Sequence, residues 1–298
     1  MTLVRILLGV LTAAGLLLVV RWTMEARRRA RRGERGAPTP PELLIGFVTD
    51  FFDTLGIGAF ATTTTAFRLF GLVPDELIPG TLIVGHALPV LIQALLFISV
   101  VRVDPWQMTM LIVVCVTGGW LGAGVVASLS RRAVQLGMGC ALLVAAAFMM
   151  LGMLGQFPAG GTALAFSARG FALALVVNFV LGALLTLGIG NYAPSLVVFS
   201  LLGMDPRAAF PIMMGSGAFV AMIAGVRFVA SGRLHQRAAL GLAAGGIPGV
   251  VVAVWLVESL PLGALRWLVL VVVAYVSITL LRAGIRSVDV SEDTMRSA

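Results

Sequence analysis

The chain has 298 residues, of which 59% are apolar and only 11% charged, whereas soluble domains run about 45–50% apolar and about 25% charged. With a mean hydropathy of +1.05, this composition excludes a soluble globular enzyme, a disordered chain and a disulfide scaffold, and leaves an integral membrane protein. The net charge of +8 comes from 21 Arg and no Lys; the arginines sit mainly at the ends of apolar runs, where they set orientation, and no nucleic-acid-binding motif accompanies them.

The first apolar run, Val4 to Val20, is followed by Glu25 and six arginines between Arg27 and Arg35. A secretory signal would carry its positive charge ahead of the run and an A-x-A site behind it. Here the bias is reversed, so residues 1–24 read as a retained transmembrane anchor with its N-terminus outside. Residues 25–41 read as an Arg-rich cytoplasmic linker ending in GERGAPTPP. The Arg cluster serves as an orientation signal, with anionic lipid as a second reading.

Six longer charge-free runs follow, at 77–101, 105–130, 133–168, 170–204, 208–226 and 238–257. Each reaches the roughly 20 residues that a spanning helix needs. The alternating segments of about 10 residues that mark a β-barrel are missing. The fold class is therefore an all-α polytopic membrane protein. Cys115 and Cys140 lie in these runs with no metal or redox spacing and read as small core residues. Trp22, Trp106, Trp255 and Trp267 near run ends suggest an aromatic belt, and Trp120 beside Gly118 and Gly119 reads as packing.

A shift of 132 residues aligns Thr54-Leu-Gly-Ile-Gly58 with Thr186-Leu-Gly-Ile-Gly190 and gives 12 identities in 32 positions. Gly71 and Pro74 fall on Gly203 and Pro206, Pro79 on Pro211, and Gly85 on Gly217. Gly118-Gly119-x-x-Gly122 similarly resembles Gly245-Gly246-x-x-Gly249. The chain thus divides into repeat 1 (42–155), an external loop (156–166), repeat 2 (167–286) and a cytoplasmic tail (287–298). Internal repeats of this kind mark secondary transporters. The Gly-Ile-Gly centre of each first segment makes a poor helix interior. If both T-L-G-I-G segments are re-entrant, then Arg27–Arg35, Arg131/Arg132, Arg233/Arg237 and Arg282/Arg286 all fall on the cytoplasmic side. Each half then has a broken segment plus three crossings. The halves are inverted, and the chain crosses the membrane seven times in a bacterial-type inner membrane, with its C-terminus cytoplasmic.

The residues Gly46-Phe-Val-Thr-Asp-Phe-Phe-Asp-Thr-Leu-Gly-Ile-Gly58, the later Pro74-Asp-Glu-Leu-Ile-Pro-Gly-Thr81, and the duplicated G-x-x-P spacing resemble the TauE/SafE family. The resemblance spans about 42–286 and implies an inverted-repeat transporter that exports sulfite or organosulfonates. The anchor lies outside it.

Gly56, Gly58, Gly188 and Gly190 allow the chain to unwind. Each break then starts a half-helix whose free N–H groups and positive end point into the bundle. Two such ends form an oxyanion site with no buried Lys or Arg. The following side chains fit as donors: Thr62, Thr63, Thr64 and Thr65 in half one, and Asn191, Tyr192 and Ser195 in half two, with Pro194 suited to a first turn. The competing reading is that these hydroxyls bond local carbonyls.

Asp50 and Asp53 are i,i+3 on one face and have Gly182 and Leu185 as counterparts. They are candidates for a proton relay, a cation site or a pair with Arg68; the alternative is a solvated interfacial segment. His86, ten residues into its run and matched by Ala218, suits proton carriage or anion donation. Thr81 and Ser216 are placed beside the same cavity, Pro79 and Pro89 at kinks, and His235 in a solvated loop. The substrate is expected to be a small anion, sulfite or an organosulfonate such as sulfoacetate. Alternatives are a cation or cation-coupled carrier using Asp50 and Asp53, or a membrane scaffold or assembly protein. No cofactor or metal is expected, and no enzyme motif is present. The glycine-rich faces suit close packing within the chain or in a homodimer.

Overall fold

The computed structural model describes residues 2–31, 36–55, 58–127, 131–156, 161–185 and 190–256, and ten helical positions between 267 and 285. All regular structure among them is helical. The helices are α1 (Thr2–Arg31), α2 (Pro40–Thr54), α3 (Ala59–Leu69), α4 (Ile78–Gly85), α5 (Ala87–Val100), α6 (Pro105–Ala127), α7 (Arg131–Met153), α8 (Ala168–Leu185), α9 (Tyr192–Leu201), α10 (Pro206–Ser231) and α11 (Gln236–Leu256). Four described helices are long and apolar enough to span a membrane, and a fifth if α4 and α5 count as one bent span.

α1 is one helix that continues into the arginine cluster. It buries Leu7, Leu11, Gly15, Leu18 and Trp22, a single stripe at spacings of three and four. Leu18 packs over Gly225 of α10 and Leu91 of α5 over Gly15. Trp22 is therefore a core residue and not part of a belt, because the stripe carries it onto the bundle. Trp106, Trp255 and Trp267 are exposed as a belt requires, but so is Trp120, which sits on the side of α6 away from its packed glycines. Cys115 is buried, whereas Cys140 is exposed, since α7 turns that position outward.

The helices follow the repeat. With the 132-residue shift, α3 matches α9, α4 with α5 matches α10, and α6 matches α11. The packing exchanges partners between halves. α2 lies along α11, and α8 lies along α6. Glycines make both contacts possible: a Cβ at Gly118 would overlap the carbonyl of Phe179, and one at Gly182 the carbonyl of Cys115. On the other side, a Cβ at Gly245 would overlap the carbonyl of Leu43, and one at Gly249 the carbonyl of Phe47. The obstacle in each case is backbone, which cannot rotate away. Gly245→Val is expected to cost about 3 kcal/mol, the upper end for overpacking, and to lower the thermal unfolding midpoint in detergent by at least about 5 °C.

The matched pair α4–α5 and α10 runs antiparallel. Gly80, at the start of α4, meets Phe228 and Arg233 at the far end of α10, and Phe97, near the end of α5, stacks on Phe210 near the start of α10 at 5.4 Å. The ends of α10, 26 residues long, are about 39 Å apart. Each broken segment returns to the end it left. α2 starts where Glu42 meets Arg237, just after α10 ends, and the chain after α3 comes back to the same end at Leu77 to Thr81, where Thr81 accepts from His235 N–H at 2.9 Å. In half two, α8 starts beside residues 161–167, and α9 returns to them through the bridge between Ala163 and Met204.

Candidate functional site

Break one is built around Asp53. Gly58 has φ +85 and ψ 124, a left-handed conformation that favours glycine. This turn brings the first amide of α3, Ala59 N–H, to donate to Asp53 Oδ1 at 2.6 Å. Asp53 Oδ2 is buried and has no hydrogen-bond partner. The positive end of α3, expected to receive a substrate anion, is thus already occupied by a carboxylate of the protein's own chain. The physical reason is proximity: Asp53, in the last turn of α2, lies beside the start of α3.

Asp50, one turn earlier, is fully buried and faces His86. Nδ1 of His86 donates to Asp50, at 2.9 Å from Oδ1 and 3.0 Å from Oδ2, and Nε2 lies within hydrogen-bond distance of the Thr63 hydroxyl, at 3.0 Å. The imidazole therefore links α2 to α3. With exposures of 0% and 4%, Asp50 and Asp53 do not belong to a solvated interfacial segment, and the buried partner of Asp50 is His86, while Arg68 lies exposed at the end of α3. Burial of these groups is tolerable because they answer one another.

His86 sits at the 42° bend between α4 and α5. Pro89 has no N–H for the carbonyl of Gly85, four residues earlier, so the helix yields there. Pro79 makes no kink, because it lies in the first turn of α4, where no donor is missing. On the same face as His86, two turns on, the Gln93 amide donates to Thr54 Oγ1 at 2.9 Å and accepts from the Tyr192 hydroxyl at 3.2 Å. Tyr192 begins α9, so Gln93 ties the two breaks together.

Break two carries no acid. The Asn191 amide is turned away to donate to the carbonyl of Met213 at 3.1 Å, so this N-cap side chain does not cap the start of α9. Leu185 stands where half one has Asp53. Both breaks border one small cavity of about 30 Å³. Asp53, Gly58 and His86 line it from half one, and Leu185, Gly190, Asn191 and Tyr192 from half two. Phe60 closes the wall with its ring 5.8 Å from that of His86.

The other candidates fall elsewhere. Thr62 bonds the carbonyl of Ala59 at 2.8 Å, as a helical threonine does. Thr64 and Ser195 are buried with unpartnered hydroxyls, and Thr65 and Pro194 are half-buried; none of these lines the cavity, nor does Thr63, which reaches it only through His86. Gly56 and Gly188 lie outside the described residues. Ser216 accepts from Asn178 at 3.3 Å and Thr81 bonds Leu77 and His235, so both are packing groups and not cavity walls. His235 is half-buried rather than solvated. Its Nδ1 accepts from Ala238 N–H at 3.3 Å at the start of α11. Burial, and then neighbouring Arg237, lower its pKa from the ordinary 6.5 and keep the ring neutral.

Gln93 and Asn178 were missed. Both are polar residues inside charge-free runs, and Gln93 lies seven residues after His86, hence on its face. That spacing was the available signal.

Residues 42–280 match the family model for the sulfite exporter TauE/SafE. No curated protein and no solved structure matches the chain. The match runs from the first turn of α2 across both breaks and α11, and it leaves α1 outside. This is a multi-pass membrane protein with two glycine-broken segments that border one small cavity of mostly apolar lining, and the chain belongs to the sulfite exporter TauE/SafE family.

Proposed function

We propose that the chain is a secondary transporter that exports a small sulfur oxyanion, sulfite or an organosulfonate such as sulfoacetate, by alternating access around this cavity. The observation that carries the reading is the convergence of the starts of α3 and α9 on one small cavity. Their roles differ. The start of α9, whose N-cap Asn191 turns its side chain away, takes the anion on Tyr192 and Ala193 N–H groups, where the helix end favours negative charge. The start of α3, already capped by Asp53, belongs to the proton side with Asp50 and His86.

The antiparallel pair α4–α5 and α10, together with broken segments that return to the end they left, supports an inverted repeat with two re-entrant hairpins. The end where α10 finishes also carries Arg29, Arg233 and Arg237. The positive-inside rule places that end in the cytoplasm and the N-terminus outside. The cavity holds about two waters, so a four-heavy-atom sulfite requires its walls to part. The bend at His86 is the hinge nearest the site.

The test is labelled sulfite movement in proteoliposomes under imposed pH gradients, with sulfoacetate and sulfate as competitors. Saturable movement accelerated by the gradient is expected. Movement indifferent to the gradient would remove the proton relay, and no movement of any sulfur oxyanion by folded protein would overturn the substrate class.

A further inference from the structure

A second cavity lies far from the transport site, where the end of α1, the segment at Gly36–Ala37 and the α10–α11 turn meet. It is much larger, about 580 Å³, within the size range of small-molecule sites. Arg29, His235, Gln236 and Arg237 give it a polar side, and Leu77 and Leu240 an apolar one. Arg29 donates through Nε to Glu25 at 3.3 Å and lays its guanidinium over Gly232, the C-cap of α10. Arg237 donates through Nε to the buried Glu42 at 2.9 Å. Each guanidinium is thus held from its Nε side. A guanidinium has five N–H donors, so each keeps donors beyond that bond.

Gln236 is the feature that packing leaves unexplained. Both its amide nitrogen and its amide oxygen are buried and have no hydrogen-bond partner. An orphaned buried amide costs about 1–3 kcal/mol, and Gln236 is one of the residues that border the cavity. The surrounding sequence is strongly basic: Arg27 to Arg35 and Arg233 to Arg237 hold eight arginines against Glu25, Glu34 and Glu42. An anionic group with hydroxyl or ester oxygens beside it would meet the guanidiniums, the amide and the apolar wall at once.

We propose that this cavity binds a phosphate-type anionic head group and thereby fastens α1 to the transport bundle. The α1 side of the site, with Arg29 and residues 36–37, lies outside the matched region 42–280. It also has a route to transport. Arg237 holds Glu42, whose other oxygen accepts from Thr39 N–H at 2.7 Å and fixes the start of α2, the helix that carries Asp50 and Asp53.

The test uses the full chain in nanodiscs of phosphatidylcholine alone or mixed with phosphatidylglycerol, with thermal unfolding as the readout. Inorganic phosphate titrated into phosphatidylcholine-only discs forms the second arm. Anything that binds the folded state raises the midpoint. Wild type is expected to gain stability from phosphatidylglycerol. Arg29→Gln is expected to weaken that apparent affinity about tenfold, as loss of one charged hydrogen bond does. Gln236→Leu is expected to lose the gain while starting from a higher midpoint in phosphatidylcholine, because the substitution removes the orphaned amide. A gain produced by phosphate alone, and lost in the same variants, would keep the site and assign a free anion to it. Equal gains in wild type and both variants, or no gain from either source, would overturn the proposal. Should Gln236→Leu fail to fold, Arg29→Gln decides the matter alone.

Discussion

Replacing His86 with Ala is expected to abolish gradient-driven sulfite movement, a loss of at least about a hundredfold, which is the usual scale for removing a positioned proton carrier. His86 is the only described side chain that touches both Asp50 and Thr63, so its loss breaks the path between α2 and α3. Asp50→Asn keeps the shape and should still bond Nδ1. It is expected to leave residual downhill sulfite exchange that no longer responds to an imposed pH gradient. The two outcomes together separate coupling from binding. A structural defect would instead lower downhill exchange and the unfolding midpoint together in both variants. Asp50→Asn protein that kept the full gradient response would show that the proton travels elsewhere.

Leu185→Asp is expected to block anion binding at the start of α9. Leu185 occupies the repeat position of Asp53 and lines the cavity almost fully buried. A carboxylate there would do to α9 what Asp53 does to α3: take the first N–H groups and put negative charge where the substrate must sit. Two unit charges about 4 Å apart at an effective dielectric of about 20 repel by about 4 kcal/mol, roughly a thousandfold in affinity. Leu185→Asn adds the polarity without the charge and is expected to cost far less. The measurement is the half-saturating sulfite concentration for each variant, with folding checked by size exclusion. Equal losses in the Asp and Asn variants would mean that the site at α9 is not an anion site.

Much of the architecture was legible because membrane helices are written in long charge-free runs and because the repeat supplied its own alignment. The glycine breaks were legible because Gly-Ile-Gly makes a poor helix interior and recurs at the same place in both halves. The site was only partly legible. Asp50, Asp53 and His86 stood out as costly charges, but nothing in the spacing indicated that Asp53 would turn back onto Ala59 N–H. That bond depends on the loop path after Leu55, which is a tertiary matter. The run of four threonines misled through composition. Helical threonine hydroxyls return to carbonyls three or four residues back, as Thr62 does, whereas Thr63 meets the His86 ring. Trp22 and Trp120 were misassigned because distance from the end of a run does not say which face a residue occupies.

The exchange of helices between halves also constrains how the protein is made. α2 finds its long-range neighbour in α11, which ends at Leu256. During synthesis the first half leaves the ribosome with its broken segment unaccompanied, and it must wait for nearly the whole chain before that segment can settle. A premature stop anywhere before α11 would leave Asp50 and Asp53 stranded without the glycine face of Gly245, Gly246 and Gly249. Such fragments should be substrates for membrane quality control, and the two halves expressed as separate polypeptides should accumulate only when both are present in the same cell.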